Sequence, residues 1–293
     1  MKVVITIPAY NEERTIGAVI NGIKAVMNRT KYKYKIHVVD DGSRDKTTEA
    51  ARKAGALVFR HPYNCGLAET FRTEIKIALE QKADVIVHTD ADGQYPAETI
   101  PYLIKEVESG YDLVLGDRFS GGIESMPLIK RIGNRAFSRS VSRIINFNVN
   151  DCQTGLRAFT RELAERVRVQ SNHTYTQEQI IKAVRQKFKI KEVPTKFLRR
   201  PGKSRLIKHP LEYATKAWIN ILRIQRDYNP LKFFGKVGLV SLTVGFALGL
   251  WLALNFMATG AVGHLPSTIL SMLLMLTGLQ IILFGFMADM NRR

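Results

Sequence analysis

Strand-length apolar runs alternate with helix-length amphipathic segments through the first 117 residues, and this alternation restricts the fold more than any other feature. Val3–Ile7, Ile36–Val39, Leu57–Phe59, Val85–His88 and Leu113–Leu115 read as strands. Glu13–Met27, Lys46–Ala54, Leu67–Gln81 and Ala97–Ser109 read as helices. In the first of these, Ile16, Val19, Ile20, Ile23 and Val26 fall on one side, as a helix packed on a core requires. Strands separated by helices of this length form βαβ units, so a Rossmann-like, mostly parallel sheet flanked by helices is expected. Such connections bring the carboxyl ends of the strands to one edge, where open α/β sheets bind ligands.

Polar clusters sit at three of those ends: Pro8-Ala9-Tyr10-Asn11-Glu12-Glu13, Asp40-Asp41-Gly42-Ser43 and Asp90-Ala91-Asp92-Gly93-Gln94. In extended chain, residues two apart point the same way. Asp90 and Asp92 therefore offer two hard oxygens to one point, and Gln94 continues the series with a neutral one. Such a set suits Mg²⁺ or Mn²⁺ and, through the metal, a diphosphate. The chain has no Gly-x-Gly-x-x-Gly and no Walker lysine, so a nucleotide here is held neither by a dinucleotide fingerprint nor by a P-loop.

From Ser120 the pattern changes. Ser120-Gly121-Gly122 and Met126-Pro127 read as a mobile loop. A basic helix follows, with Arg131, Arg135, Arg139 and Arg143 in one stripe, suited to an anionic acceptor or to a membrane. Asp151–Phe159 reads as a turn and short strand, Thr174–Gln186 as a helix containing Glu178, and Phe188–Val193 as a last strand. Lys187–Lys208 holds nine basic residues against Glu192 alone, either a basic linker on anionic lipid or a flap over the diphosphate. Pro210–Tyr228 reads as an amphipathic helix suited to the membrane interface.

Val237–Met257 and Leu265–Met287 carry no charge and are long enough to cross a bilayer. Basic residues precede the first span (Arg223, Arg226, Lys232, Lys236) and follow the second (Arg292, Arg293). By the positive-inside rule the soluble domain and the C-terminus are expected in the cytoplasm. The expected organisation is a soluble α/β domain over 1–208, an interfacial segment over 209–232 and a transmembrane hairpin over 233–293. Gly245 and Gly249 suit helix packing in lipid, and a homo-oligomer joined through them is an expectation. The formal charge is +18, and all but two of those charges lie before residue 233. A basic soluble part attracts phosphorylated or nucleic-acid partners. Acid-tipped strands and the lack of any recognition-helix or zinc pattern argue against nucleic acid. Cys65 and Cys152 have no metal-ligand spacing and imply no disulfide framework. The opening Met1–Pro8 is too short an apolar run for a signal peptide.

Seven motifs now stand in order: Pro8-Ala9-Tyr10-Asn11-Glu12, Asp40-Asp41-Gly42-Ser43, Asn64-x-Gly66, Asp90-Ala91-Asp92-Gly93-Gln94, Gly116-x-Arg118-Phe119, Asp151-x-x-Thr154-Gly155-x-Arg157 and Arg199-x-x-Gly202-x-Ser204. Over about residues 1–210 the chain resembles family-2 glycosyltransferases of GT-A fold, in particular polyprenyl-phosphate glycosyltransferases of the dolichol-phosphate mannose synthase type. The resemblance implies inverting, metal-dependent transfer of a hexose from a nucleotide-diphosphate sugar to a polyprenyl or dolichyl phosphate in the bilayer. It implies donor binding by Pro8, Tyr10, Glu12, Val38, Asp40, Ala91, Asp92, Arg118, Arg199 and Arg205. Asp90, Asp92 and Gln94 would hold Mg²⁺ or Mn²⁺, and Arg118, Arg131 and Arg135 would gather the acceptor phosphate. Asp92, Gln94 and Arg118 would carry the catalytic charge.

Leu67-Ala68-Glu69 departs from the small residue that many relatives place after the Asn-x-Gly turn. The chain has no Gln-x-x-Arg-Trp, which argues against a processive polysaccharide synthase. Neither GDP-mannose nor UDP-glucose type donors are singled out. Rival readings are transfer to a glycolipid or hydroxyl acceptor, a membrane-anchored nucleic-acid binder, and a catalytically silent scaffold.

Overall fold

The computed structural model describes residues 1–170, 175–199, 219, 221–261 and 265–291. The chain divides into two compact units, Met1–Ala214 and Thr215–Arg293.

The first unit is built on a seven-stranded sheet: β1 (Lys2–Ala9), β2 (Lys33–Asp40), β3 (Leu57–Arg60), β4 (Val85–His88), β5 (Leu113–Asp117), β6 (Arg157–Thr160) and β7 (Ile190–Pro194). Their order is β3-β2-β1-β4-β6-β5-β7. All pairings are parallel except those of β6, which runs antiparallel between β4 and β5. The helices are α1 (Ile16–Met27), α2 (Thr47–Lys53), α3 (Leu67–Glu80), α4 (Thr99–Glu108), α5 (Arg118–Gly121), α6 (Leu128–Ile145), α7 (Arg161–Arg166) and α8 (Thr176–Arg185). The expected GT-A-like architecture is thus present.

Central strands buried on both faces read as unbroken apolar runs, and Val3, Val4, Ile5, Val85, Ile86 and Val87 behave so. Against them α1 sets Ile16, Ile20, Ile23 and Met27. That helix begins at Ile16 rather than Glu13 because the polar residues before it are spent on the next loop: Glu13 N–H donates to Asp45 (3.3 Å), and Lys46 N–H donates to the Glu13 carboxylate (3.0 Å).

The stretch after β5 is more ordered than a mobile loop. The Asp117 carboxylate accepts from Phe119 N–H (2.8 Å) and Ser120 N–H (3.2 Å), capping the short helix α5. Ile123 then pairs in parallel with Phe197. The partner that orders this glycine-rich run lies far along the chain, so local composition does not reveal it.

The second unit contains two long apolar helices, α9 (Pro230–Thr259) and α10 (Leu265–Met290), each long and apolar enough to cross a membrane. They pack as an antiparallel hairpin on small residues. A Cβ on Gly245 would lie 2.9 Å from Met275 N, and one on Gly249 would lie 2.8 Å from Ser271 Oγ. The Ser271 hydroxyl donates to Gly245 O (2.7 Å) and the Ser241 hydroxyl to Leu274 O (2.8 Å). This corrects one expectation. Gly245 and Gly249 face the other helix of their own hairpin, so they are not available to join two chains. Of the expected interfacial helix, residues 221–228 are helical; most of the remainder lies outside the described residues.

Candidate active site

β1 is the sheet's switch point: β2 and β3 lie to one side of it and β4 to the other. Ligands of open α/β sheets bind at such a point, beyond the strand carboxyl ends. Ala9 pairs with Asp40, and Thr89 N–H donates to Thr6 O (3.1 Å), so the three polar clusters converge there.

The first two clusters are laced together. Asn11, in the left-handed region at φ 55°, donates its N–H to Ser43 Oγ (2.9 Å) and accepts from Arg44 N–H (2.8 Å). Glu12 N–H donates to Thr47 Oγ1 (2.8 Å). Tyr10 is exposed, and Pro8 and Glu12 are half-buried on this rim. Two expected donor contacts are placed differently. Val38 is wholly buried in the sheet core, so its side chain reaches no crevice. Asp40 is 1% exposed, and its carboxylate accepts from Ser43 N–H (2.9 Å) and the Thr48 hydroxyl, so it shapes the loop.

Asp41 organises the neighbouring turn. Its carboxylate accepts from Cys65 N–H (2.8 Å) and Gly66 N–H (2.9 Å) and pairs with His61 Nδ1 (2.8 Å). His61 Nε2 meets Thr73 Oγ1 (3.0 Å). Asp41, His61 and Cys65 stand close enough to hold a metal ion, but each imidazole nitrogen already has a protein partner. Burial pushes the Cys65 thiol up, aided by Asp41 and Glu69, which disfavours the thiolate a metal needs.

The third cluster has the opposite character. Asp90 is half-buried, and neither of its oxygens accepts a hydrogen bond among the described residues. Its wall is Gly155, where a Cβ would lie 2.5 Å from Asp90 Oδ2. Gly155 is held by its N–H, which donates to Tyr95 Oη (2.9 Å). Asp92 accepts from Gln94 N–H (3.1 Å) as the loop turns through Gly93 at φ 75°. The Gln94 amide nitrogen donates to Leu198 O (3.1 Å), which leaves the amide oxygen as the acceptor end. An uncommitted carboxylate, a second carboxylate two residues on and an amide oxygen fit a hard divalent cation. Ala91 is buried between the two acids.

Beside this loop runs a strap, Thr195–Arg199, bonded on both edges. Leu198 N–H donates to Gln94 O (2.9 Å) on one side. Phe197 N–H donates to Gly122 O and Glu124 N–H to Phe197 O (2.9 Å each) on the other. The Phe197 ring lies between Tyr95 (centroids 5.4 Å apart, edge-on) and the Arg118 guanidinium (5.0 Å).

Arg118 is 5% exposed and clamped to Asp151, from Nε at 2.5 Å and Nη2 at 2.8 Å. Burial opposes its charge; Tyr95, Asp151 and Asp90 outweigh burial, and its pKa is raised. Nη1 has no hydrogen bond among the described residues, so one nitrogen of a fixed, charged fork remains for an anion. Arg131 is half-buried and Arg135 exposed on α6. Arg199 is exposed, its N–H donating to Glu124 (3.3 Å); Arg205 lies outside the described residues. Glu178 is 5% exposed and accepts from Gln170 N–H (2.8 Å) and Lys182 (2.7 Å), which is a structural role.

Tyr95, Asp151, Gly155 and Phe197 had no assigned role in the sequence. Asp151 and Gly155 stood in a motif, which was their signal. Tyr95 and Phe197 carried none, because their importance comes from packing between distant segments.

A doubly wound sheet with an acidic pair at its switch point and a fixed arginine beside it is the framework of an enzyme that handles phosphorylated donors. Residues 4–168 match the family model Glycosyl transferase family 2, and the chain belongs to that family. It is similar to a dolichyl-phosphate hexose transferase of Haloferax volcanii, 37% identical over 198 residues, spanning 67% of this chain and 83% of that one. It is 29% identical over 285 residues to a dolichol-phosphate mannosyltransferase of Pyrococcus furiosus, spanning 93% and 78% of the two chains. Glucosyl-3-phosphoglycerate synthase from Mycobacterium tuberculosis, crystallised with Mn²⁺, UDP and glucosyl-3-phosphoglycerate, shares the fold at a TM-score of 0.60 and 18% identity over 76% of this chain and 78% of that one.

Proposed function

We propose that this glycosyltransferase moves a hexose from a nucleoside-diphosphate sugar to the phosphate of a membrane polyprenol or dolichol, with inversion. An acceptor phosphate oxygen attacks the anomeric carbon, the bond from that carbon to the diphosphate breaks, and the nucleoside diphosphate leaves with the electron pair. The acceptor is already an anion, so no strong general base is required. Asp90, Asp92 and Gln94 would hold the divalent cation, which when bound would offset the charge of the departing diphosphate. Arg118, fixed by Asp151, and Arg131 and Arg135 on α6 gather the acceptor phosphate. Paired guanidinium bonds overcome the repulsion between two anionic reactants, and fixing them in line lowers the barrier further. Tyr10, Glu12 and Pro8 line the nucleotide side, Asp40 acts through the loop it shapes, and Arg199 and Arg205 close over the diphosphate.

The observation that carries this reading is the half-buried Asp90 carboxylate with uncommitted oxygens, held against Gly155 beside the Arg118–Asp151 pair. The names of the similar archaeal proteins support the lipid acceptor. We place the catalytic unit over 1–208, an interfacial segment over 209–232 and a membrane hairpin over 233–293, with the catalytic unit and C-terminus cytoplasmic. The test is transfer of labelled hexose from GDP-mannose, UDP-glucose or UDP-N-acetylglucosamine to polyprenyl phosphate by the full chain in detergent. Chelator-sensitive label in the lipid phase, abolished in Asp92→Asn, is expected. Normal turnover by Asp92→Asn overturns the metal assignment, and label appearing only on a hydroxyl acceptor overturns the lipid-phosphate one.

A further inference from the structure

The arginine stripe of α6 divides between two places. Arg131 lies toward the start of the helix, whereas Arg135 and Arg139 open onto a recess of about 290 Å³ completed by Phe119, Ser120, Asn148 and Asn150. Neither Arg118, Arg131 nor any residue of the Asp90–Gln94 loop forms part of its wall, and no lining residue is acidic. The Arg135 guanidinium is set over the Phe119 ring at 5.1 Å, which fixes one side of the recess. Neither Arg135 nor Arg139 forms an ion pair among the described residues.

Two acids bond to the wall of the recess: Glu192 accepts from Asn150 N–H (2.9 Å), and Asp117 is engaged from several sides. Asp117 accepts from Phe119 N–H (2.8 Å), Ser120 N–H (3.2 Å), the Ser120 hydroxyl and Asn150 Nδ2 (3.2 Å). Four donors engage it, and neither Arg135 nor Arg139 is among them. The deeper hydroxyls are also engaged. Ser142 Oγ accepts from Val149 N–H (3.0 Å) and donates to Val149 O (3.2 Å), and Ser138 Oγ donates to Cys152 Sγ (3.4 Å). What remains to meet an occupant is two guanidiniums and the exposed Asn148 amide.

Two guanidiniums one helical turn apart, lining one recess with an amide and neither paired with a carboxylate among the described residues, match an oxyanion carrying several acceptor oxygens. A recess of this volume holds a phosphate with room for an ester substituent. We propose that Arg135, Arg139 and Asn148 form a second anion site that binds the phosphate of a phosphoester. It goes beyond the proposed transfer reaction and shares only Arg135 with it. The phosphoester comes either from a phospholipid headgroup or from solution. Leu128, Ile129 and Ile132, 71%, 50% and 61% exposed on the first turns of the same helix, favour an amphiphile.

The test uses the full chain in neutral detergent, with UDP or GDP and Mn²⁺ present in saturating amounts to occupy the donor site. Inorganic phosphate and a short-chain phosphatidylglycerol below its micellar concentration are titrated separately by calorimetry. Binding at least tenfold weaker in Arg139→Ala, and about threefold weaker in Asn148→Ala, is expected. Phosphatidylglycerol binding tenfold tighter than phosphate supports the headgroup source, and equal affinities support a free phosphoester. Absence of binding by either probe, or Arg139→Ala binding both as tightly as wild type, overturns the site. Basal transfer by Arg139→Ala stays within about twofold of wild type, which separates this site from the acceptor contacts. Nucleoside diphosphate binding is read in the same cell, so failure of the donor site is seen independently.

Discussion

Gly155 stands so close to the Asp90 carboxylate that a Cβ on it would lie 2.5 Å from Oδ2 and 2.7 Å from Oδ1. The glycine is required here by space, since its φ is not in the left-handed region. Gly155→Ala must push the carboxylate out of place or shift the Tyr95 contact behind the glycine. Displacement of a reacting or ligating group by about 1 Å costs on the order of 100-fold in rate. We expect such a loss in kcat/KM, a weaker Mn²⁺ affinity by electron paramagnetic resonance and an unchanged far-UV spectrum. Wild-type Mn²⁺ affinity in this variant would show that Asp90 is not a ligand.

The Arg118–Asp151 pair is buried on both sides, 6% and 0% exposed. Asp151→Ala leaves a guanidinium without its partner in the interior. Removing one member of a buried pair costs about 3–5 kcal/mol. A lowered thermal midpoint, accompanied by a raised acceptor KM, is the expected outcome. Arg118→Lys does not restore activity, because an ammonium cannot serve Asp151 and an anion as two edges of one fork. Lipid-phosphate titrations of both variants check this.

Gln94 faces two ways, its amide nitrogen on Leu198 O and its oxygen left as an acceptor. Gln94→Glu keeps an oxygen for the cation and sets a second oxygen against the Leu198 carbonyl. Mn²⁺ affinity is expected to hold or rise while kcat falls about tenfold as the strap loosens. Equal losses of metal affinity and kcat would argue that the strap contact has no role.

His37 supplies a pH dependence of stability. Both ring nitrogens are buried without a partner, and the ring sits edge-on to Phe59. Burial, with Lys35 and Lys2 assisting, lowers its pKa from 6.5 to about 4. The unfolded chain therefore takes up this proton at a higher pH than the folded one. The contribution to stability is intact above pH 6.5 and is lost as pH falls from 6.5 toward 4, by roughly 3 kcal/mol at full titration. Denaturant titrations across pH 4–8 should show this slope in wild type and a flatter one in His37→Leu.

The donor half of the fold was legible because its signals are local. Apolar runs marked β1, β2, β4 and β5, and acids at their ends marked the crevice. Helix ends shifted where polar residues bridge to another loop, as Glu13 does to Lys46. Asp40 and Val38 show the limit of carrying roles over from a motif: position in a motif does not say whether a side chain is turned into the sheet or out of it. The direction of β6 was not legible, since a four-residue strand buried on both faces looks alike in either orientation. The strap was hidden for a related reason. Phe197 gains its place from Arg118, Tyr95 and Gly122, which lie far from it along the chain.

β5 and β6 are hydrogen-bonded neighbours, yet the chain leaves the sheet between them to build α5, α6 and the Asp151 turn before returning. The excursion departs at Arg118 and comes home at Asp151, and these two residues fasten its ends together. It is therefore a closed module, and the strand that follows it, β6, joins β4 to β5 in the sheet. Evolution can lengthen, recharge or exchange that module while β1–β4 and their acids stay as they are, so a descendant of this chain can change what the excursion meets without rebuilding the acid-tipped strands beside it.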